Sequence, residues 1–151
     1  MIQLFTELQE KKNVRSNLSA LRASLKEATE EQKAQAIEFV RGHEDLVFGF
    51  LQEEDAKTRK NAALLLGDLA VQNALQPLWK AYTREQTLFV KSAYLEAMKA
   101  LHAEEILSQL KDRLAELEGE PVTEENRKHR EAELRALRAI LIQYEGIDTH
   151  H

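Results

Sequence analysis

The 151-residue chain contains no cysteine, which excludes disulfides, thiolate metal sites and a cysteine nucleophile. It has only two prolines and five glycines, and with 31% charged residues this points to long helices joined by tight connections. No apolar stretch approaches the ~20 residues needed to span a bilayer. Residues 1–10 lack both the basic start and the apolar run of a secretory signal, so a cytoplasmic protein with no membrane partner is expected. A basic excess is also missing: the net charge is -5 and the pI about 5.6, so the molecule as a whole repels nucleic-acid phosphates. RNA binding would need a local basic surface.

What the chain does have is an apolar share of 43%, enough for one compact domain, and a helical pattern that repeats. Arg59 and Lys91 stand in register about 32 residues apart, and apolar pairs follow each cation at matching offsets. These pairs are Ala62-Ala63 and Leu65-Leu66 in one copy, Tyr94-Leu95 and Ala97-Met98 in the other. A shorter echo starts at Lys33, followed by Ala36, Ile37, Phe39 and Val40. Repetition at this period predicts an all-α fold, a right-handed α-solenoid of about nine helices in stacked antiparallel pairs. Each unit of such a fold buries its apolar face against its neighbours.

Apolar spacing and capping residues set the expected elements. Ile2, Leu4, Phe5 and Leu8 predict a first helix over 2–9, and Asn13 is expected to cap a second carrying Val14, Leu18, Leu21 and Leu25. Thr29 with Gln32 forms a capping-box pattern for a third helix ending near Arg41. A fourth is expected over 43–52, and Asp55 caps a fifth that ends near Ala70. The sixth, over 71–82, contains Pro77, which predicts a bend or a late start. Thr83 with Gln86 suggests another capping box, opening a helix that reaches Leu101; an eighth covers 103–118. Gly119 and Pro121 end it, and the last helix is expected over 123–144, with Glu124/Lys128 and Glu131/Arg135 paired at i,i+4. Residues 1–145 thus read as one helical-repeat domain and 146–151 as a tail or the start of a following segment.

The pairs over 43–70 and 72–101 resemble HEAT-like repeats, including the short variety of phycobilin-lyase-type proteins. The residues that carry the resemblance are Asp55, Arg59, Ala62-Ala63, Leu66-Gly67 and Leu69, then Val90-Lys91, Leu95, Ala97 and Leu101. Pro77 fits the kinked first helix of such a pair. About half the chain is covered. The stretches 51–67, 85–91 and 123–126, with Arg135-Ala136-Leu137-Arg138, also resemble the helical-repeat N-terminal region of SAM-dependent RNA methyltransferases of Gram-positive bacteria. In those proteins a THUMP-like region and a Rossmann-type catalytic domain follow. This chain has no Gly-rich SAM loop and no Asn/Asp-Pro-Pro-aromatic motif, and its end at Gly146-Ile147-Asp148-Thr149-His150-His151 suits a truncated segment. The resemblance therefore implies a binding or positioning role, with a covalently following catalytic domain, another protein or RNA as partner.

No residue pattern calls for a reaction, a cofactor or a metal. His43-Glu44 is similar to one of the four His-Glu pairs that hold a di-iron centre in HEAT-repeat deoxyhypusine hydroxylases, but a single pair cannot bind such a centre. His102 reads as a helix-junction residue, and His150 and His151 as tail residues that pick up adventitious metal. Ser16, Ser19, Ser24, Ser92 and Ser108 all fall in expected helices, and none sits in a Gly-flanked elbow.

The candidate binding surface comprises three groups. Lys33, Arg59 and Lys91 form either a basic row facing phosphate or structural cations; for Arg59 the structural reading is preferred, with Asp55 and Asp68 as partners. Arg127, Lys128, Arg130, Arg135 and Arg138, with His129, form the better RNA candidate, although Glu124, Glu125, Glu131 and Glu133 offset much of that charge. Phe39, Phe48, Phe50, Trp79 and Phe89 are expected in the core, whereas Tyr82 and Tyr94 are expected to show an edge to a groove. Two alternatives to the methyltransferase-accessory reading are a stand-alone protein-binding adaptor and a small repair enzyme resembling the HEAT-like alkylpurine DNA glycosylases. The acidic balance and short length argue against the glycosylase.

The repeat register makes one direct prediction. Ala62→Glu places a charge between packed helices and is expected to lower the melting temperature markedly; an unchanged melting temperature would mean that the register is wrong.

Overall fold

The computed structural model describes residues 1–148, with side chains through Tyr144. The described residues are all-α: α1 (Ile2–Gln9), α2 (Val14–Leu25), α3 (Glu30–Gly42), α4 (Glu44–Gly49), α5 (Ala56–Asp68), α6 (Leu75–Arg84), α7 (Leu88–Ala100), α8 (Leu107–Gly119) and α9 (Arg127–Asp148). Short 3-10 turns at Phe50–Gln52, Gln72–Ala74 and Glu104–Ile106 follow α4 and precede α6 and α8. Residues 149–151, with His150 and His151, lie outside the described residues, while α9 runs on through Gly146 past the expected end at Tyr144. Among the described residues no helix is long and apolar enough to cross a membrane.

Two of the expected caps form. Thr29 Oγ1 accepts the Gln32 N–H at 3.1 Å while Gln32 Oε1 accepts the Thr29 N–H at 3.0 Å, so two orphan donors of α3 are satisfied together. Asp55 Oδ2 accepts the Thr58 N–H at 2.9 Å at the start of α5. Pro77 produces the late start: a 3-10 turn comes first, and proline then occupies the third position of α6, where no intrahelical donor is needed.

The other two caps do not. Asn13 takes a left-handed conformation at φ 46° and makes no side-chain cap bond; the α2 entrance is held instead by Asn17 Nδ2, which donates to the Lys12 carbonyl at 2.8 Å. Thr83 lies inside α6, its hydroxyl donating to the Lys80 carbonyl at 2.7 Å. The α7 N-cap is Thr87, whose own N–H donates to Glu85 Oε2 at 3.2 Å. Thr123 and Asn126 close a reciprocal turn ahead of α9, with bonds of 2.8 and 3.2 Å, so this helix starts at Arg127 rather than Thr123.

Packing runs from helix to helix along one succession: α2 lies on α5, α5 on α7, and α7 on α9, while α1, α6 and α8 pack on α2, α7 and α9 respectively. The echo expected at Lys33 belongs to α3, yet α2 is the helix against α5. Apolar content explains this, since α2 buries Leu18, Leu21 and Leu25 whereas α3 buries only Ala36 and Val40. Between α5 and α7 the contact is between backbones. A Cβ built on Gly67 would lie 2.9 Å from Ala97 Cα, a distance real Cβ atoms do not adopt. Ala62 and Ala63 are fully buried.

Gly67→Ala would gain about 1 kcal/mol in helix propensity, but the obstructing atom is main chain and cannot rotate away, so overpacking at about 1–3 kcal/mol prevails. At Gly49 a methyl group would meet nothing within 4 Å. Thermal or urea unfolding should therefore find Gly67→Ala less stable and Gly49→Ala as stable as the parent or more so.

Candidate functional site

The two cations of the repeat are turned inward. Arg59 on α5 forms a bidentate pair with Glu85, Nε to Oε1 at 2.9 Å and Nη2 to Oε2 at 3.0 Å, while its Nη1 donates to the Glu53 and Glu54 carbonyls, each at 2.8 Å. Tyr94 from α7 completes the cluster, its hydroxyl donating to Glu85 Oε1 at 3.2 Å and lying 3.4 Å from the Leu51 carbonyl. The Glu85 side chain is 6% exposed and that of Arg59 17%. Burial, the largest influence on Glu85, pushes its carboxyl up. Hydrogen bonds from Arg59 and the Thr87 N–H, the Arg59 charge and the Tyr94 hydroxyl outweigh it, and the group is held below its ordinary range. Burial and then the Glu85 charge push the Tyr94 phenol up, so it stays a neutral donor.

A second cluster of the same chemistry lies one helix further on. Glu133 of α9 accepts from the Tyr82 hydroxyl of α6, from Arg113 Nε of α8 at 3.1 Å and from Lys91 Nζ of α7 at 3.4 Å. Burial again pushes Glu133 up and is again outweighed, by the Tyr82 and Arg113 hydrogen bonds and the Lys91 and Arg113 charges, leaving the carboxyl lowered. Tyr82 is pushed up chiefly by burial. Among the described residues every buried side-chain nitrogen or oxygen has a partner.

These positions revise several expectations. Asp55 and Asp68 do not bind Arg59; they are taken by Arg15 at 3.4 Å and Arg22 at 2.8 Å, both from α2. Tyr82 and Tyr94 are buried rather than edged into a groove, because their hydroxyls are drawn to the two carboxylates; the half-buried Trp79 is the more accessible ring. Glu133 does not offset the basic surface of α9, since it points to the core. Sequence reasoning missed Glu85, Arg113 and the role of Glu133. Glu133 had a signal: four residues before Leu137 and seven before Ile140, it falls on the apolar stripe. Glu85, in a connection, had none.

The basic start of α9 is also partly committed. Arg130 caps the end of α8, its Nε donating to the Leu117 carbonyl at 3.0 Å and Nη2 to the Glu118 carbonyl at 3.2 Å, where the helix dipole favours a cation. Arg138 pairs with Glu118 at 3.1 Å and Arg127 with Glu124 at 3.8 Å. Lys128 and Arg135 are exposed and have no ion-pair partner among the described residues, so the expected Glu124/Lys128 and Glu131/Arg135 pairs are not made. Glu124 sits in the turn before the helix, which removes the i,i+4 geometry.

Two of the histidines, His43 and His102, sit at helix junctions. His43 stacks on Phe39 with centroids 4.5 Å apart, its Nδ1 donates to the Phe39 carbonyl at 2.8 Å, and Nε2 is left to accept from the Gln9 amide at 2.6 Å. His102 is held at its junction by backbone bonds to the Gln72 side chain of 2.8 and 2.9 Å. Among the described residues no group of three His, Asp or Glu side chains is placed to hold a metal ion.

Open space remains beside the clusters. A groove of about 760 Å³ adjoins the first, and its lining includes the apolar Phe48, Leu51, Pro77 and Ala81 together with Glu53, Glu54, Lys80 and Arg84. A cavity of about 340 Å³ adjoins the second, with Trp79 in its wall. Comparison with family models, with curated proteins and with solved structures finds no match for the chain.

Glu133→Gln keeps the shape but removes the charge that Lys91 pairs with and that Arg113 shares with Glu116 at 3.2 Å and Glu120 at 3.9 Å. With both cations a fifth to a quarter exposed, a loss of about 2–3 kcal/mol is expected, below the range for a fully buried pair. The lowered carboxyl also fixes a pH dependence: its contribution is complete above the ordinary value of 4.5 and is lost as pH falls through the folded-state value. Urea midpoints measured from pH 6 down to pH 3 should fall less steeply for Glu133→Gln than for the parent; parallel curves would count against the assignment.

Proposed function

We propose that this chain is a non-catalytic macromolecular-binding scaffold, a HEAT-like right-handed α-solenoid whose partner is in the first place a protein. The observation that carries this is where the charge goes. The repeat cations Arg59 and Lys91 are used between helices, while the groove beside the first cluster is lined by apolar residues and by Glu53, Glu54, Lys80 and Arg84, which have no ion-pair partner among the described residues. Such a lining suits a polypeptide segment better than a polyanion. RNA is less well supported, because of the basic residues on α9 only Lys128 and Arg135 lack a partner among the described residues and the chain carries a net charge of -5.

The finer reading is an N-terminal accessory domain of a larger SAM-dependent RNA-modifying protein, acting in the cytoplasm. It rests on the resemblance in 51–67, 85–91, 123–126 and 135–138. In that setting the scaffold packs against, or positions, a catalytic domain that follows it.

Isolation of the native protein from its source cell under gentle conditions, with its intact mass and associated macromolecules determined, tests both readings. A mass well above 17.3 kDa with a SAM-binding loop in the added sequence supports the accessory domain, and a 17.3 kDa chain in stable complex supports a stand-alone adaptor. A 17.3 kDa chain free of any associated macromolecule overturns the scaffold reading. Lys128→Glu with Arg135→Glu is expected to leave the complex intact; loss of a salt-sensitive complex would make RNA the partner instead.

A further inference from the structure

Of the three cations in the sequence series Lys33, Arg59 and Lys91, only Lys33 is not drawn into a buried pair. It stands beside a cavity of about 420 Å³ between α2, α3 and the end of α5, a size within the usual range for ligand pockets. The walls are apolar: Leu25 from α2, Ile37 from α3, and Leu69 and Ala70 after α5. The rim is charged. Arg22 and Asp68 neutralise each other at 2.8 Å, which leaves Lys26 and Lys33. Lys26 has no ion-pair partner among the described residues, and Lys33 reaches only Glu30, at 3.8 Å, whose side chain is 96% exposed.

The sign of this rim runs against the chain's net charge of -5. Helix electrostatics accounts for Lys26, at the C-terminal cap of α2, but not for Lys33, which lies in the opening turns of α3, where the dipole opposes a cation. Ala70 is unusual too. It holds φ 50°, a conformation that glycine adopts without cost, and it is one of the residues that line the cavity.

We propose that this slot docks an acidic peptide segment of a partner protein. One apolar side chain of the segment enters between Leu25, Ile37 and Leu69, and flanking carboxylates meet Lys26 and Lys33. The inference rests on the scaffold reading and names the chemistry of its partner.

Fluorescence anisotropy tests it with the labelled peptide Glu-Asp-Phe-Asp-Glu, a control with Ser for Phe, and a second control with Lys for every acid. Saturable binding of the first peptide is expected, weakened about tenfold or more by the Ser control, by the Lys control and by the K26E/K33E variant, tenfold being about 1.4 kcal/mol. Both lysines are on the rim, so the variant should fold as the parent does. Ala70→Gly should weaken the peptide while leaving the melting temperature unchanged or raised, which separates the lost methyl from any loss of fold. Failure to bind, equal binding of the Ser control, equal binding of a single-stranded RNA of the same charge, or indifference to K26E/K33E overturns the slot. If the native complex persists in K26E/K33E, the slot proposal falls and the scaffold reading stands; if no native complex exists at all, it is the scaffold reading that has failed.

Discussion

At Gly67 the backbones of α5 and α7 come so close that no methyl group fits between them, and the placement of the other helices follows from that contact. It fixes α7 at the height where Tyr94 reaches both Glu85 and the Leu51 carbonyl. With α7 set, α6 and α9 have a surface to cover, and α8 packs in turn on α9. Gly67 meets the small Ala97 there, and Ala62, Ala63, Leu65 and Leu66 of α5 with Leu95 and Met98 of α7 are all buried. Packing of this density tolerates little change in volume.

Charge follows the same order as packing. Arg15 and Arg22 of α2 meet Asp55 and Asp68 at the two ends of α5; Arg59 of α5 meets Glu85 just ahead of α7; Lys91 of α7 meets Glu133 of α9. The carboxylates of the outer pairs, Asp55 and Asp68, are open to water and these pairs contribute little, whereas Glu85 and Glu133 are removed from water and penalise any arrangement that separates them from their cations. These pairs run along the same succession as the helix contacts, α2 to α5 to α7 to α9. They also commit the repeat cations Arg59 and Lys91 to contacts between helices.

Much of the fold was legible because it is local. The Thr29/Gln32 box, the Asp55 cap and the delayed start at Pro77 depend on residues within four positions of one another, and each is found. Thr83 with Gln86 has the same spacing as a true box, but α6 keeps Thr83 because its apolar face still has Tyr82 to bury. The clusters were half legible. Arg59 and Lys91 announce themselves by their register, but their partners lie 26 and 42 residues away, and only tertiary packing selects Glu85 and Glu133 from among the 26 acidic residues. Tyr82 and Tyr94 were misplaced for the same reason, since a phenol at the edge of an apolar stripe goes wherever a carboxylate is waiting.

Glu133 accepts from α6, α7 and α8 at once, and it belongs to the last helix. During synthesis the chain therefore completes Tyr82, Lys91 and Arg113 before their common acceptor has been made. Without α9, Lys91 and Arg113 lose the carboxylate they share, and Arg113 keeps only the acids of its own helix end, Glu116 and Glu120. α9 is thus a keystone: one carboxylate on it ties α6, α7 and α8 together, and that shared tie exists only while α9 is seated.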